Sequence, residues 1–341
     1  MNLALAITLL AATPFVGSEQ RIGPVRNPLD LTLVRSAGST LLAWQEETHV
    51  KARVEEKTID FGIGSDVRAA TDGSDFQIIW VDQNRVAGAR WSKPSDVKTL
   101  VNLGSFVVDY FGSQYRRPPA MAWNGTAFQI FTGYDQADTA AALNGVVISA
   151  AGTSEGTHKV CPPFGFGFPI CYDVPPSQRI DWKVRRGDAP VRSFSLQQDG
   201  YISTHYPFIT AGANEFLLVW KASTSIDGVL LRPDGSNAGF ITVPIANSLS
   251  GKRGPQVAFD GTRYLIVFDT DGDVWGAFVT PGVTYVAQPF AISATAAQEG
   301  APTVAAIGPD RFAVAYAIDS NQIGTRIVSF SEPPSRNRAV R

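Results

Sequence analysis

The stretch 269–273, Asp-Thr-Asp-Gly-Asp, carries a dense set of carboxylates. Alternating carboxylates are the ligands that a hard cation such as Ca²⁺ requires. The stretch lacks the downstream glutamate of an EF-hand loop, and an Asp-rich hairpin turn is the commoner reason for such a pattern. We therefore expect no cofactor, and we keep Ca²⁺ bound by Asp269, Asp271 and Asp273 as the alternative.

General acid–base chemistry has few candidates in this chain. Only three histidines occur, at His49, His158 and His205. The string 152–156, Gly-Thr-Ser-Glu-Gly, fits the nucleophile-elbow pattern, but a Pro- and Gly-rich segment follows it where that motif needs a helix. Asp66 and Glu299 offer a carboxylate pair if the fold brings them together. The sequence favours a non-catalytic protein, with a carbohydrate-active hydrolase or lyase as the alternative.

Both cysteines, Cys161 and Cys171, lie in one segment rich in Pro, Gly and Phe. In an exported chain such a pair predicts a local disulfide that closes a short loop. Aromatic residues rimmed by charge are typical of contact surfaces. We therefore interpret this loop as an interaction surface, with its rings folded back as a small satellite core as the alternative. The aromatic residues concerned are Phe164, Phe166, Phe168 and Tyr172.

One hairpin pattern recurs along the chain, and its best copy is the stretch 255–268, PQVAFDGTRYLIVF. A short apolar strand leads through Asp-Gly into a second strand that ends on an aromatic residue. Asp-Gly and Asn-Gly suit two-residue hairpin turns because both central residues take positive φ. A spacing of 48 residues separates Phe216 from Tyr264, and Tyr264 from Phe312. A period in the forties is typical of propeller blades.

Six copies of the second strand occur, at 40–44, 76–80, 128–132, 216–220, 264–268 and 312–316. The sequence therefore predicts an all-β fold: a six-bladed β-propeller of four-stranded antiparallel blades, closed by an N-terminal strand. Residues 119–150 are expected to give the first three strands of blade 3, followed by an irregular insertion at about 152–190. The closing strand is expected at 13–18 or at 21–26. A single propeller domain would span 19–331, with a disordered tail at 332–341.

The N-terminal run 1–12, MNLALAITLLAA, is typical of a secretory signal peptide. Small residues precede Glu19, so residues 1–18 are predicted to be a signal peptide, or in part the closing strand. This favours a secreted, periplasmic or cell-envelope location. No segment is long and apolar enough for a stable membrane span. The formal net charge of −2 argues against a nucleic-acid partner.

The repeats resemble the β-propeller repeats of secreted bacterial proteins that read P-x-V-A-x-D-G-x-x-Y-L-V-x-W. The copy at 255–268 matches that pattern best. The resemblance covers nearly all of the chain outside the insertion. It implies a fold and no particular chemistry, because propellers host unrelated functions.

In such a propeller, the loops that enter the inner strands share one face with the loops between second and third strands. Arginine, histidine and tyrosine there suit a glycan or a carboxylate-bearing ligand, although ordinary solvated loops are the alternative. The candidates are Asp66, Arg116, Arg117, His205, Tyr206, Lys252, Arg253 and Glu299.

We therefore expect an exported ligand-binding or protein-interaction module whose partner is an extracellular or envelope protein or glycan. A structural or assembly subunit that uses the disulfide-closed insertion is the further alternative.

Overall fold

A computed structural model of the 341-residue chain gives the architecture. It describes residues 14–36, 38–83, 85–93, 96–105, 119–131, 137–154, 158–160, 172–174, 178–187, 189–198, 207–222, 224–245 and 254–330. Every regular element in these ranges is a β-strand. Among these residues there is no helix of the length and apolar character needed to cross a membrane.

The described strands form six blades of four antiparallel strands in a ring, as predicted. Two short strands precede the first blade, β1 (Phe15–Val16) and β2 (Gln20–Ile22). Blade 1 contains β3 (Pro28–Ser36), β4 (Ser39–Glu46), β5 (His49–Val54) and β6 (Lys57–Ile63). Blade 2 contains β7 (Ser65–Thr71), β8 (Phe76–Asp82), β9 (Arg85–Lys93) and β10 (Asp96–Ser105).

Blade 3 starts later in the chain than the repeat pattern predicts. The pair β11 (Ala120–Trp123) and β12 (Phe128–Phe131) forms a separate two-stranded sheet. Its strand β11 contacts the first strands of blades 2 and 3, so the pair lies between these two blades. The four strands of blade 3 are β13 (Thr139–Leu143), β14 (Val146–Ser154), β17 (Gln178–Arg186) and β18 (Ala189–Gln198).

The reason for this shift is the Asn144-Gly145 dipeptide. Both residues have positive φ, 52° and 77°, and they turn β13 directly onto β14. Residues 146–150 therefore belong to the second strand of blade 3, whereas the repeat pattern placed 144–150 in its third. The outer strands occupy 178–198, so the part outside the blade is shorter than the predicted 152–190. That part contains a hairpin of β15 (His158–Val160) and β16 (Tyr172–Val174).

Blades 4 to 6 follow the predicted repeat. Blade 4 contains β19 (Phe208–Ala211), β20 (Phe216–Lys221), β21 (Ser225–Leu231) and β22 (Asn237–Pro244), with β26 (Tyr285–Val286) parallel at its edge. Blade 5 contains β23 (Gln256–Phe259), β24 (Tyr264–Thr270), β25 (Asp273–Val279) and β27 (Pro289–Ser293). Blade 6 contains β28 (Glu299–Gly308), β29 (Arg311–Ile318) and β30 (Gln322–Ser329).

The N-terminus closes the ring. Both β1 and β2 pair antiparallel with β30, so together they supply the fourth strand of blade 6. We call residues 15–22 the N-terminal strap. The structure uses parts of both stretches that the sequence offered as the closing strand.

The core consists of apolar layers between successive blades. Side chains alternate along each strand, so one set packs toward the preceding blade and the other toward the following one. In β29, Phe312, Val314 and Tyr316 pack against blade 5. The alternate residues Ala313 and Ala315 face blade 1. This stacking hides the apolar faces that a single blade leaves exposed.

Candidate functional site

Each blade has two ends that carry different loops. The start of the first strand and the turn between the second and third strands lie at one end, which we call the mouth end. The turns between the first and second strands, and between the third and fourth, lie at the opposite end. The sequence predicted the binding residues at the mouth end.

Most of these predicted residues lie outside the described part of the chain. This is true of Arg116, Arg117, His205, Tyr206, Lys252 and Arg253. It is also true of Cys161, Cys171, Phe164, Phe166 and Phe168, and of most of the predicted signal peptide. Tyr172 is described only as the first residue of β16. These predictions remain predictions.

Asp66 lies at the mouth end of blade 2 and takes part in a contact with blade 1. Its φ is 55°, and its backbone N–H donates to Asp30 Oδ2 at 3.2 Å. Its own Oδ2 accepts a hydrogen bond from Ser65 Oγ at 2.7 Å. The Asp30 carboxylate of β3 thus accepts from the Asp66 backbone N–H of β7 and joins the first strands of blades 1 and 2.

Glu299 is only 3% exposed and lies beside blade 5. Its Oε1 accepts hydrogen bonds from Ser293 Oγ at 2.9 Å and Thr295 Oγ1 at 2.7 Å. Its backbone N–H donates to Gly272 O at 2.7 Å. The backbone contact ties Glu299 to the β24–β25 turn, while its side chain binds the segment that leads from blade 5 to blade 6.

The three aspartates of the predicted cation site do not converge, because Asp269 lies on the opposite face of the blade from Asp273. In the register of β24 and β25, Asp269 faces Val274, while Thr270 faces Asp273. Asp269 Oδ2 accepts from the Ala301 N–H at 3.3 Å and so faces blade 6. Asp273 lies on the face with Trp275, toward blade 4. No group of three His, Cys, Asp or Glu side chains in the described ranges could hold a metal ion.

Asp271 and Asp273 instead line a pocket of about 230 Å³ near the mouth end, between blades 4 and 5. The turn that presents them has Asp271 and Gly272 at φ 56° and 84°, as a two-residue hairpin turn requires. We call this cavity the Trp275 pocket. Its lining residues are Pro244, Ile245, Phe268, Thr270, Asp271, Asp273, Trp275 and Pro289.

The walls of the Trp275 pocket combine aromatic surface with carboxylates. Trp275 lies directly opposite Phe268 across the β24–β25 pair. Thr270 is 6% exposed, and its hydroxyl is buried without a hydrogen-bond partner among the described residues. Burial raises the pKa of the Asp273 carboxyl, and the charges of Glu299 and Asp271 raise it further. The pocket thus has an apolar wall and an electronegative rim.

Sequence reasoning identified the aspartates and missed Trp275. The available signal was its position, two residues after Asp273, which places both side chains on one face of a strand. The opposite wall, Pro244 and Ile245, comes from another blade. No local pattern connects the two walls.

No family model matches the chain, and no curated protein matches it. Among solved structures, Trypanosoma rangeli sialidase is similar at 10% identity and a TM-score of 0.51, covering 93% of this chain and 60% of that one. A neuraminidase-like protein from A/bat/Guatemala/164/2009 is similar at 8% identity and a TM-score of 0.49, covering 95% of each chain. At 10% identity, the likeness to the sialidase shows the fold alone.

Proposed function

We propose that this protein is an exported, non-catalytic β-propeller that binds a glycan in the Trp275 pocket. The observation that carries the proposal is the meeting of Trp275, Phe268, Asp271 and Asp273 around one cavity. It supports the binding module expected from the sequence, and we assign the ligand to this cavity. The partner would be an extracellular or envelope glycan.

The chemistry of the pocket suits a sugar ring. A pyranose has an apolar C–H face that packs on an aromatic ring, and hydroxyls around its edge that donate hydrogen bonds. The indole of Trp275 offers the flat surface, while the carboxylates of Asp271 and Asp273 offer acceptors at the rim. A mostly apolar pocket with a few convergent polar groups is the usual form of a small-molecule site.

A glycan array with the full chain tests this proposal. The wild type should give signals for at least one glycan class, and Trp275→Ala should lose them. Trp123→Ala is the control, because Trp123 packs on Phe128 in the separate β11–β12 sheet. Empty arrays, or signals that Trp275→Ala leaves unchanged, would contradict the proposal.

A glycoside hydrolase is the second candidate, favoured by one specific observation. Asp273 has a raised pKa and shares a pocket with a second carboxylate, and general acids in glycosidases have both features. Incubation with a panel of chromogenic glycosides separates the two functions. Turnover by the wild type that Asp273→Asn abolishes would establish the hydrolase, whereas binding without turnover supports the non-catalytic role.

A further inference from the structure

A second cavity lies at the opposite end of the propeller, between blades 6 and 1. It is a groove of about 590 Å³, which we call the strap groove because Gly17, Ser18 and Gln20 of the N-terminal strap form one side. Gly38 and Glu55 also line it, and they belong to turns at the end away from the mouth. It shares no lining residue with the Trp275 pocket.

Among the β29 residues that line the groove is a small one, Ala313. On the face of β29 toward blade 1, the residues are Ala313, Ala315 and Ala317, where the other face carries Phe312, Val314 and Tyr316. Ala313 lines the groove, opposite Leu33 and Leu42 of blade 1. Small side chains on one blade leave a gap that larger ones would fill.

Two arginines, Arg35 and Arg53, line the strap groove beside its apolar residues. In the blade 1 register, Arg35 pairs with Thr40, while Leu33 pairs with Leu42 and Leu42 with Arg53. Directly opposed residues and their alternate neighbours share a face, so both arginines lie on the leucine face. Both line the groove.

Each of these arginines donates a hydrogen bond to a neutral acceptor among the described residues. Arg35 Nη1 donates to Thr40 Oγ1 at 3.3 Å, and Arg53 Nε donates to the Glu55 backbone carbonyl at 2.7 Å. Neither guanidinium forms an ion pair with any residue that the structure describes. The Glu55 carboxylate accepts from Ser39 Oγ at 3.4 Å.

The third arginine at the groove, Arg326, already has partners in blade 6 and in the strap. It donates to Tyr316 Oη at 3.0 Å and to the Gly17 carbonyl at 3.1 Å, and it pairs with Glu19 at 3.7 Å. Arg326 therefore fastens the strap, while Arg35 and Arg53 remain available for a ligand.

We propose that the strap groove binds a small amphipathic carboxylate. Its carboxylate would bridge Arg35 and Arg53 through charge-assisted hydrogen bonds, and its apolar body would lie along Leu33, Leu42 and Ala313. The volume falls in the range of small-molecule sites, roughly 300–1,000 Å³. This proposal rests on residues remote from the Trp275 pocket and is independent of glycan binding.

Isothermal titration calorimetry of the full chain with octanoate and octan-1-ol tests the proposal. Octanoate should bind saturably and at least about tenfold more tightly than octan-1-ol, because its carboxylate accepts charge-assisted hydrogen bonds from Arg35 and Arg53. The double variant Arg35→Gln/Arg53→Gln should lose about tenfold or more in octanoate affinity. Arg85→Gln, at an exposed arginine of blade 2, should bind octanoate like the wild type.

A second variant tests the apolar part. Ala313→Leu fills the groove and should weaken binding of both probes, with a thermal denaturation scan to verify that it folds. Absence of octanoate binding to the wild type would overturn the proposal. Equal affinities for octanoate and octan-1-ol, or full octanoate affinity in Arg35→Gln/Arg53→Gln, would overturn the role of the arginines.

Discussion

Tyr316 Oη donates a hydrogen bond of 2.6 Å to Glu19 Oε2, and so joins β29 to the N-terminal strap. The two residues are far apart in the chain and meet only because the propeller closes. Arg21 and Arg326 bind the same carboxylate. Burial raises the pKa of Tyr316 to about 12, so its hydroxyl stays a donor over the whole neutral range.

Glu19→Gln is expected to lower the free energy of unfolding by about 1–3 kcal/mol, because a charged acceptor in a hydrogen-bonded cluster becomes neutral. Tyr316→Phe should cost a similar amount. Urea denaturation of both variants and of the double variant gives the coupling energy. Strictly additive losses would show that the two groups do not interact.

The stability that Glu19 contributes should depend on pH. Burial acts to raise its pKa, but hydrogen bonds from Tyr316 and Arg21, with the charges of Arg21 and Arg326, outweigh burial and lower the pKa below 4.5. A lowered folded-state pKa gives stabilisation that is present above the unfolded-state value and is lost as pH falls through the folded-state pKa. The wild type and Glu19→Gln should therefore converge in stability as the pH falls from about 5 toward 3. A constant difference in urea titrations over this range would contradict the assignment.

Shortening the strap should destabilise the ring in two steps. A chain that begins at Glu19, the predicted signal cleavage point, loses β1 but keeps β2 and the Tyr316 contact. A chain that begins at Gly23 loses both strands and leaves the edge of β30 unpaired. The second truncation should cost at least about 2 kcal/mol more than the first, since it removes a charged hydrogen bond as well as strand pairing. Thermal scans of both, against a chain that begins at Pro14, measure the steps, and equal melting temperatures for the two truncations would contradict this account.

Gly235 fixes the contact between blades 3 and 4. Its φ is 85°, its carbonyl accepts from Trp182 Nε1 at 3.0 Å, and an added Cβ would lie 2.4 Å from Phe194 and Val184. Gly235→Ala should cost about 2–4 kcal/mol, from backbone strain and overpacking together.

Gly73→Ala is the matched control for Gly235, because Gly73 has a φ of 94° and no atom within 4 Å of an added Cβ. It should cost about 1–2 kcal/mol from the left-handed conformation alone. Equal losses for the two variants in chemical denaturation would show that the blade contact is not tight.

The blade pattern was readable from the sequence because each copy repeats the same local physics. Alternating apolar residues and Asp-Gly or Asn-Gly dipeptides indicate hairpins without reference to the rest of the chain. The prediction of two-residue turns at Gly73, Gly125 and Gly261 was wrong, because each forms a four-residue loop in which only the glycine has positive φ. The strands of blade 3 were predicted at the wrong positions, because Phe128 carries the repeat signature in a sheet that has two strands among the described residues, while Asn144-Gly145 makes the hairpin that starts the blade. The same turn rule, applied to this second dipeptide, predicts the observed strand.

The candidate sites were much less predictable. The Trp275 pocket needs Pro244 and Ile245 from blade 4. The strap groove has Ala313 of β29 opposite Leu33 and Leu42 of blade 1. Both cavities depend on how adjacent blades fit together, which local periodicity does not specify. The register of β24 and β25 also puts the side chains of Asp269 and Asp273 on opposite faces of blade 5, although the two residues are close in the chain.

A crystal structure of the full chain soaked with an array-positive oligosaccharide tests the central claim most directly. We expect a sugar ring stacked on the indole of Trp275, with its hydroxyls within hydrogen-bond distance of Asp271 or Asp273. Sugar density elsewhere on the propeller, with the Trp275 pocket unoccupied, would contradict the account.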